Sequence, residues 1–545
     1  MKLDFVSLNS ISFQNTMIKK IILLSTFSML LSSQLFAQKE APKNWFNLDP
    51  KDDKVYGVSA EKTYRELLKG KTSTPVIVAV IDGGTEVLHE DLQSVIWVNP
   101  NEKKNGIDDD NNGYIDDING WSFIGGAKED VNQDNLEVTR LYAKYKNLYE
   151  KVDTSKGFVS PDFEREYRYY MKIKTAYKQG SNQFFMYQGL FNNIISGAQL
   201  IQKTTNKDSL SIEELKSYKP TTQSDVMAKN AIMQGLKRSN KKYAVFSRIF
   251  ISIEESKSQV DNLVNYNYNL DFNSRGKVGD NYNNANEKYY GCNRVTGPKA
   301  EHGSHVAGII AAIRNNGIGM DGVADNVKIM VVRAVPDGDE RDKDVANAIR
   351  YAVDNGAKII NMSFGKSFSS NKFIVDEAIK YAESKDVLLV HAAGNDAKNT
   401  DIDDNFPKVE QNEKGSTTWI EVGASSWKKK KYLTADFSNY GKSRVDVFAP
   451  GVDINSCIPE SKYAVYSGTS MAAPVTSGVA ALLKSYYPQL TSVQIKDIIL
   501  KSSIKYNKKV FIPGTHKKTK LSELCKTGGI VNAYEAVLMA QKMIK

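Results

Sequence analysis

The sequence predicts a doubly wound parallel α/β sheet flanked by helices and interrupted by a mainly α-helical insertion. Three observations carry that prediction. Val76-Ile77-Val78-Ala79-Val80-Ile81 is a continuous, β-branched apolar run closed by Asp82-Gly83-Gly84, the pattern of a strand buried on both faces. From Ala300 onward, short apolar runs alternate with helical patterns at the spacing of β-α-β units, which implies a parallel sheet. Near the end, Tyr466-Ser467-Gly468-Thr469-Ser470 precedes the small-residue run Val475 to Leu483, so Ser470 is expected at or near a helix N-terminus.

Taken in order, the chain begins with Lys19 and Lys20, an apolar run from Ile21 to Leu31, and Leu35-Phe36-Ala37. This is the pattern of a signal peptide over residues 1–37. The apolar run is short and serine-rich for a membrane span, so no span is expected after signal cleavage. The mature chain is expected to be exported, to the periplasm, the cell surface or the extracellular medium. Its first part, residues 38–135, holds the strand ending at Asp82.

Residues Asp108, Asp110, Asn112 and Asp116 carry oxygen donors at alternating positions around Gly113. They follow the first nine positions of a calcium-loop pattern, whose twelfth is Asn119 here rather than a bidentate Glu. A structural calcium ion is the cofactor expected there. Residues 136–285 then change character. Leu136, Leu141, Tyr142, Tyr145 and Leu148 recur at helical spacing among Lys, Glu and Gln, and glycine and proline are sparse. This is the helical insertion.

The second part, residues 286–545, resumes the α/β pattern. The helix opening at Ala300-Glu301-His302 is followed by strand 327–332, helix 344–354 and strand 358–364. Helix 373–384, strands 387–391, 419–424 and 445–448, the serine helix and a last helix over 531–543 complete it.

The 545 residues are 41% hydrophobic and 25% charged with a net charge of +10, ordinary values for a globular protein with a large core. The lysines are scattered apart from Lys428 to Lys431, so no nucleic-acid partner is expected. Cys292, Cys457 and Cys525 make a poor disulfide framework. A bridge such as Cys292 to Cys457 would leave one thiol over.

A serine at a helix N-terminus becomes a nucleophile when an imidazole takes its proton and a carboxylate orients that imidazole. Of the five histidines, His391 lies in a buried strand pattern, while His89 and His516 lie in polar loops. A base must be partly accessible, which selects His302, at the head of its helix, with Asp82 as its partner. His305, three residues on, is read as a packing or hydrogen-bonding residue.

The order Asp82, His302, Ser470 is the one that subtilisin uses, and here a resemblance becomes specific. Val-Ile-Asp-Gly-Gly around Asp82, His-Gly-Ser-His-Val-Ala-Gly around His302 and Gly-Thr-Ser-Met-Ala-Ala-Pro around Ser470 resemble the three signatures of the subtilisin-like serine proteases. Ser304 stands where those proteins usually carry Thr. Ala392-Ala393-Gly394-Asn395 resembles the family's oxyanion segment and assigns Asn395 as a side-chain donor. Ser363-Phe364-Gly365 resembles the segment that pairs with the substrate backbone, with Ala393 and Gly394 walling the specificity pocket.

The resemblance implies a serine endopeptidase acting on proteins or peptides through an acyl-enzyme. The alternatives are an inactive scaffold that kept the fold and a peptide ligase using the same intermediate. Asp82 and His302 stand 220 positions apart, far beyond the family habit, so the insertion falls between them. The propeptide usual in the family has no room between Ala37 and Pro75. Three roles are open to the insertion: limiting access to Ser470, substituting for the propeptide in folding, and docking a partner protein.

Overall fold

The computed structural model describes residues 40–544 except 156 and 410–415; the expected signal peptide, residues 1–37, lies outside them. The described chain divides into two compact units, one of Tyr145–Leu270 and one of Ala41–Lys144 with Asp271–Lys545.

The larger unit opens with β1 (Val76–Asp82) and β2 (Gly120–Ser122), followed by helix α1 (Glu137–Tyr149). The helical unit supplies α2 (Pro161–Thr205), β3 (Ser209–Ser211), α3 (Gln223–Ser239), β4 (Tyr243–Val245) and α4 (Phe246–Asn262). The larger unit resumes with α5 (Glu301–Ala311), β5 (Val327–Arg333), α6 (Asp342–Asp354), β6 (Ile359–Met362), α7 (Lys372–Ser384) and β7 (Leu388–Ala392). Then come β8 (Trp419–Ser425), β9 (Val447–Pro450), β10 (Ile454–Ile458), β11 (Lys462–Tyr466) and α8 (Thr469–Tyr486). The chain closes with α9 (Ser492–Ser502), β12 (Ile504–Lys505), β13 (Lys509–Phe511), β14 (Lys518–Lys520), β15 (Gly529–Ile530) and α10 (Ala533–Ile544).

Nine strands form the main sheet in the order β12-β15-β9-β8-β7-β6-β1-β5-β2. Every pairing in it is parallel except that of β12 with β15. Successive side chains point to opposite faces of a strand. Val78 and Val80 therefore pack with Val306, Ile310 and Val475 on one face, and Ala79 and Ile81 with Val345, Ile349 and Ile379 on the other. That two-sided burial explains why β1 reads as an unbroken apolar run. Strand order reverses at β1, which pairs with β5 on one side and β6 on the other. A crevice at such a switch point, beyond the carboxyl ends of the strands, is where open α/β sheets place ligands.

Two expectations shift in detail. The strand expected over 358–364 is only Ile359–Met362, because Ser363 leaves the ladder to hydrogen-bond with the serine helix. The hairpin of β10 and β11, registered Ile454↔Tyr466, was not anticipated. Cys292, Cys457 and Cys525 are all buried and free, so the bridge suggested between Cys292 and Cys457 is not formed.

The helical unit is built around α2, 45 residues long, with Ser160 capping Phe163 N–H and Pro161 in the first turn. Phe191, Ile194 and Ile201 of α2 share a core with Ile232 and Leu236 of α3 and Ile253 of α4. A Cβ on Gly197 would lie 2.0 Å from the Ser224 carbonyl oxygen, so the approach of α2 to the start of α3 requires glycine there. Among the described residues, no helix is long and apolar enough to cross a membrane.

Candidate active site

Asp82 ends β1, and Ala334 and Val335 N–H donate to its carbonyl oxygen. Its carboxylate accepts from Gly83 N–H at 2.7 Å. His302 is the second residue of α5, and its Nδ1 lies 2.9 Å from each carboxylate oxygen of Asp82. Two glycines allow that approach. A Cβ on Gly303 would fall 2.0 Å from the Gly84 carbonyl oxygen, and Gly84 itself sits at φ +131°, a region that side chains disfavour. The Asp82 side chain is 5% exposed and that of His302 42%, so the carboxylate is sheltered while the imidazole is open to solvent. Burial lowers the imidazole pKa, but the charge of Asp82 and its hydrogen bond outweigh burial and raise it overall.

The other histidines make different contacts. His305 Nε2 meets the carbonyl oxygens of Ile454 and Ala464 at 3.1 and 3.0 Å, and its ring stacks on Tyr466 at 4.5 Å. Burial is the main reason its pKa is lowered to about 4. His391 also has a carboxylate partner, Glu421, at 3.0 Å, but it is wholly buried in β7. His89 Nε2 lies 3.0 Å from the Lys462 carbonyl oxygen, and the ring of His516 lies against Phe511.

Ser470 is the second residue of α8, which packs against α5. Its hydroxyl donates to the Ser363 carbonyl oxygen at 3.2 Å, and among the described residues it makes no hydrogen bond to His302. Four residues on, Pro474 stands inside the helix and has no N–H to give to the Ser470 carbonyl. Ser363 Oγ donates to that carbonyl instead, at 2.9 Å. Ser363 is itself held by Asn361 Nδ2, and Asn361 by Ser477 Oγ, each at 2.9 Å. The proline thus creates the acceptor that fastens the end of β6 to the serine.

Asn395 Oδ1 accepts from Thr469 N–H at 2.8 Å and from Thr469 Oγ1 at 3.0 Å. This fixes the amide so that its Nδ2 faces the other way. The position a Cβ would take on Gly468 is 3.5 Å from Asn395 Nδ2 and 3.6 Å from Ser470 N. The side-chain amide nitrogen of Asn395 and the backbone nitrogen of Ser470 thus lie close to the same point beside Gly468.

Two backbone strips lie against the start of α8. Ser363, Phe364 and Gly365 continue from β6, and Ala393 and Gly394 from β7. Phe364 packs on the core. Asn405 and Asn439 donate to the Ala393 carbonyl oxygen at 3.1 and 2.8 Å. A Cβ on Gly365 would meet Asn405 Oδ1 at 2.6 Å, and one on Gly394, at φ +101°, Asn439 Nδ2 at 2.4 Å. Asn405 and Asn439 went unnoticed in the sequence, where each is one asparagine among many in loops.

In the acidic loop, Glu102, Asp108 and Asp110 each bring a carboxylate oxygen within 4.8 Å of the others. Glu102 had no signal in the loop motif, which begins at Asp108. Asn112 Oδ1 accepts from Tyr114 N–H at 2.8 Å, and the Asp116 carboxylate accepts from Asn105 and Gly106 N–H at 3.0 and 2.9 Å. Glu102 and Asp108 hold loop backbone in the same way, accepting from Asp110 and Asp116 N–H and from Asn112 and Gly113 N–H. Three hard oxygen donors with an amide nearby fit a calcium ion.

The Peptidase S8 subtilase family matches residues 73–528. A thermophilic serine proteinase of Bacillus sp. strain AK1 is 44% identical over 185 residues, 34% of this chain and 42% of that protein. Thermitase of Thermoactinomyces vulgaris is 42% identical over 185 residues, 34% of this chain and 61% of that protein. Subtilisin E of Bacillus subtilis is 37% identical over 201 residues, 36% of this chain and 49% of that protein. The chain thus spans about half the length of the curated relatives it matches. With the match covering most of the chain and all three signatures, the chain belongs to the subtilase family.

Proposed function

We propose that the protein is an exported serine endopeptidase that hydrolyses peptide bonds through an acyl-enzyme. The observation that carries this reading is the partly exposed His302 imidazole hydrogen-bonded to the buried Asp82 carboxylate, in a chain whose Ser470 opens α8 with Asn395 fastened to the adjacent Thr469. Ser470 Oγ turns from Ser363 to His302, which takes its proton as the oxygen attacks the scissile carbonyl. Asp82 holds the Nδ1–H tautomer and offsets the imidazolium charge. Asn395 and Ser470 N–H receive the oxyanion. The C–N bond then breaks, the leaving amine takes the proton from His302, and water repeats the sequence on the ester.

Ser363, Phe364 and Gly365 with Ala393 and Gly394 are proposed to hold the substrate backbone and its specificity side chain. Asp108, Asp110, Asn112 and Asp116, with Glu102 added by its place beside Asp108 and Asp110, are proposed to hold calcium, which would stabilise the fold. The insertion's place in the chain between Asp82 and His302 supports a role in limiting which substrates reach Ser470.

A fluorophosphonate probe tests the activity. Covalent labelling of wild type and none of Ser470→Ala is the expected outcome, and equal labelling of both would overturn it. Added amine nucleophiles separate a hydrolase from a ligase, which would give aminolysis products in preference to acids.

A further inference from the structure

The helical unit contains a cavity of about 310 Å³ that the proposed protease chemistry does not use. Its floor is apolar: Ile194 of α2, Ile232 and Leu236 of α3, Ala244 of β4 and Ile253 of α4 are all at most 5% exposed. They belong to the core of the unit, so the cavity is an opening in that core, of a size at the lower end of ligand pockets.

The wall changes on one side, where Lys241, Lys242 and Arg248 line it. The stretch from Lys237 to Arg248 carries no acidic residue. Other lysines of this unit find partners: Lys207 pairs with Glu214 at 2.5 Å, and Lys257 pairs with Asp261. Lys241, Lys242 and Arg248 have no carboxylate partner among the described residues. Arg248 stands in the first turn of α4, which holds no acidic residue, and a cation there opposes the helix dipole. The Asp208 carboxylate, beside the start of α4, is engaged by Ser247 N–H and Oγ at 3.0 and 2.9 Å. An apolar cavity edged by three unpaired cations matches a ligand with a hydrocarbon body and one anionic end.

We propose that this cavity binds a single-chain anionic amphiphile, its acyl chain among Ile194, Ile232 and Ile253 and its carboxylate or phosphate on Lys241, Lys242 and Arg248. The shared chemistry covers a free fatty acid and a lysophospholipid.

Calorimetric titration of the full chain, below micelle-forming concentrations, tests the proposal with dodecanoate, dodecyl phosphate and dodecanol. Saturable binding of either anion, about tenfold or more tighter than dodecanol, is the expected result. Preference for dodecanoate would point to fatty acids and preference for the phosphate to lysophospholipids, and either supports the site. Lys241→Glu with Lys242→Glu and Arg248→Glu should weaken anion binding by at least about tenfold while sparing dodecanol. Ala231→Trp, which fills the cavity from α3, should abolish binding of all three. Equal affinity for dodecanol and dodecanoate, or unchanged anion binding in the triple variant, would overturn the proposal. So would binding to anionic vesicles, or to an acidic apolar peptide, without binding to monomeric dodecanoate. The alcohol comparison uses the unaltered protein and so stands even where a variant fails to fold.

Discussion

The ammonium of Lys366 lies 3.2 Å from a carboxylate oxygen of Glu137, and each side chain is only 1% exposed. Lys366 follows directly on Ser363-Phe364-Gly365 and also meets Asp342 at 2.8 Å, while Arg140 pairs with the same oxygen of Glu137 at 2.5 Å. Burial alone would raise the Glu137 pKa, but the two cations hold it well below the usual carboxylate range. Removing Lys366 leaves Glu137 with Arg140 but leaves the buried Asp342 carboxylate with no cation among the described residues. Lys366→Met is therefore predicted to cost about 3 kcal/mol and to lower kcat/KM by loosening the strip beside Ser470. Denaturant unfolding checks this, and Lys366→Met with Asp342→Asn should recover part of the stability. No recovery in the double variant would mean that the loss came from packing.

Asn395→Ala should lower kcat about 10²–10³-fold with little change in KM, because its amide meets charge that develops only in the transition state. The magnitude is that known for the corresponding donor in subtilisin. Steady-state kinetics on a peptide amide distinguish this from a loss of substrate binding.

The pH profile should carry the mark of the raised His302 pKa. Only neutral imidazole can take the Ser470 proton, so kcat/KM should rise through an apparent pKa above the ordinary histidine value of 6.5. The stability contribution runs the opposite way. A raised folded-state pKa stabilises fully below the unfolded value and the contribution is lost as pH rises through the folded one. Asp82→Asn should shift the acid limb of the profile downward along with its loss of rate, and an unmoved limb would assign that limb to another group.

Chelation should lower the Tm, since an ion that binds only the folded state contributes about 2.7 kcal/mol at a concentration of a hundred times Kd. Asp108→Ala with Asp110→Ala, and separately Glu102→Gln, should remove or weaken the response. Asp116→Ala should lower the Tm with and without chelator, because its carboxylate holds backbone N–H groups. Calorimetry on the four proteins decides between an ion site and a solvated acidic turn.

Replacing residues 145–270 by a short Gly/Ser linker tests the role of the insertion. Limited access predicts that peptide cleavage is kept and cleavage of folded proteins rises. Insoluble product would assign the insertion to folding. Unchanged selectivity on both substrate classes would leave the docking of a partner.

Local chemistry by itself determined the framework. The run from Val76 to Ile81 reads as a two-sided strand because both its faces are covered, and such strands need no alternation. His302 was separable from His391 by its place at a helix start rather than inside a strand. Tertiary structure decided what contact alone can decide. Asn405 and Asn439 matter because they occupy the space beside Gly365 and Gly394, and Glu102 because folding returns it to Asp108 and Asp110. The cavity at Lys241, Lys242 and Arg248 likewise exists only where α2, α3 and α4 meet. Sequence spacing records which residues share a face of one element. Which faces meet across elements depends on where chain segments far apart in sequence come to rest against each other, and no local pattern encodes that.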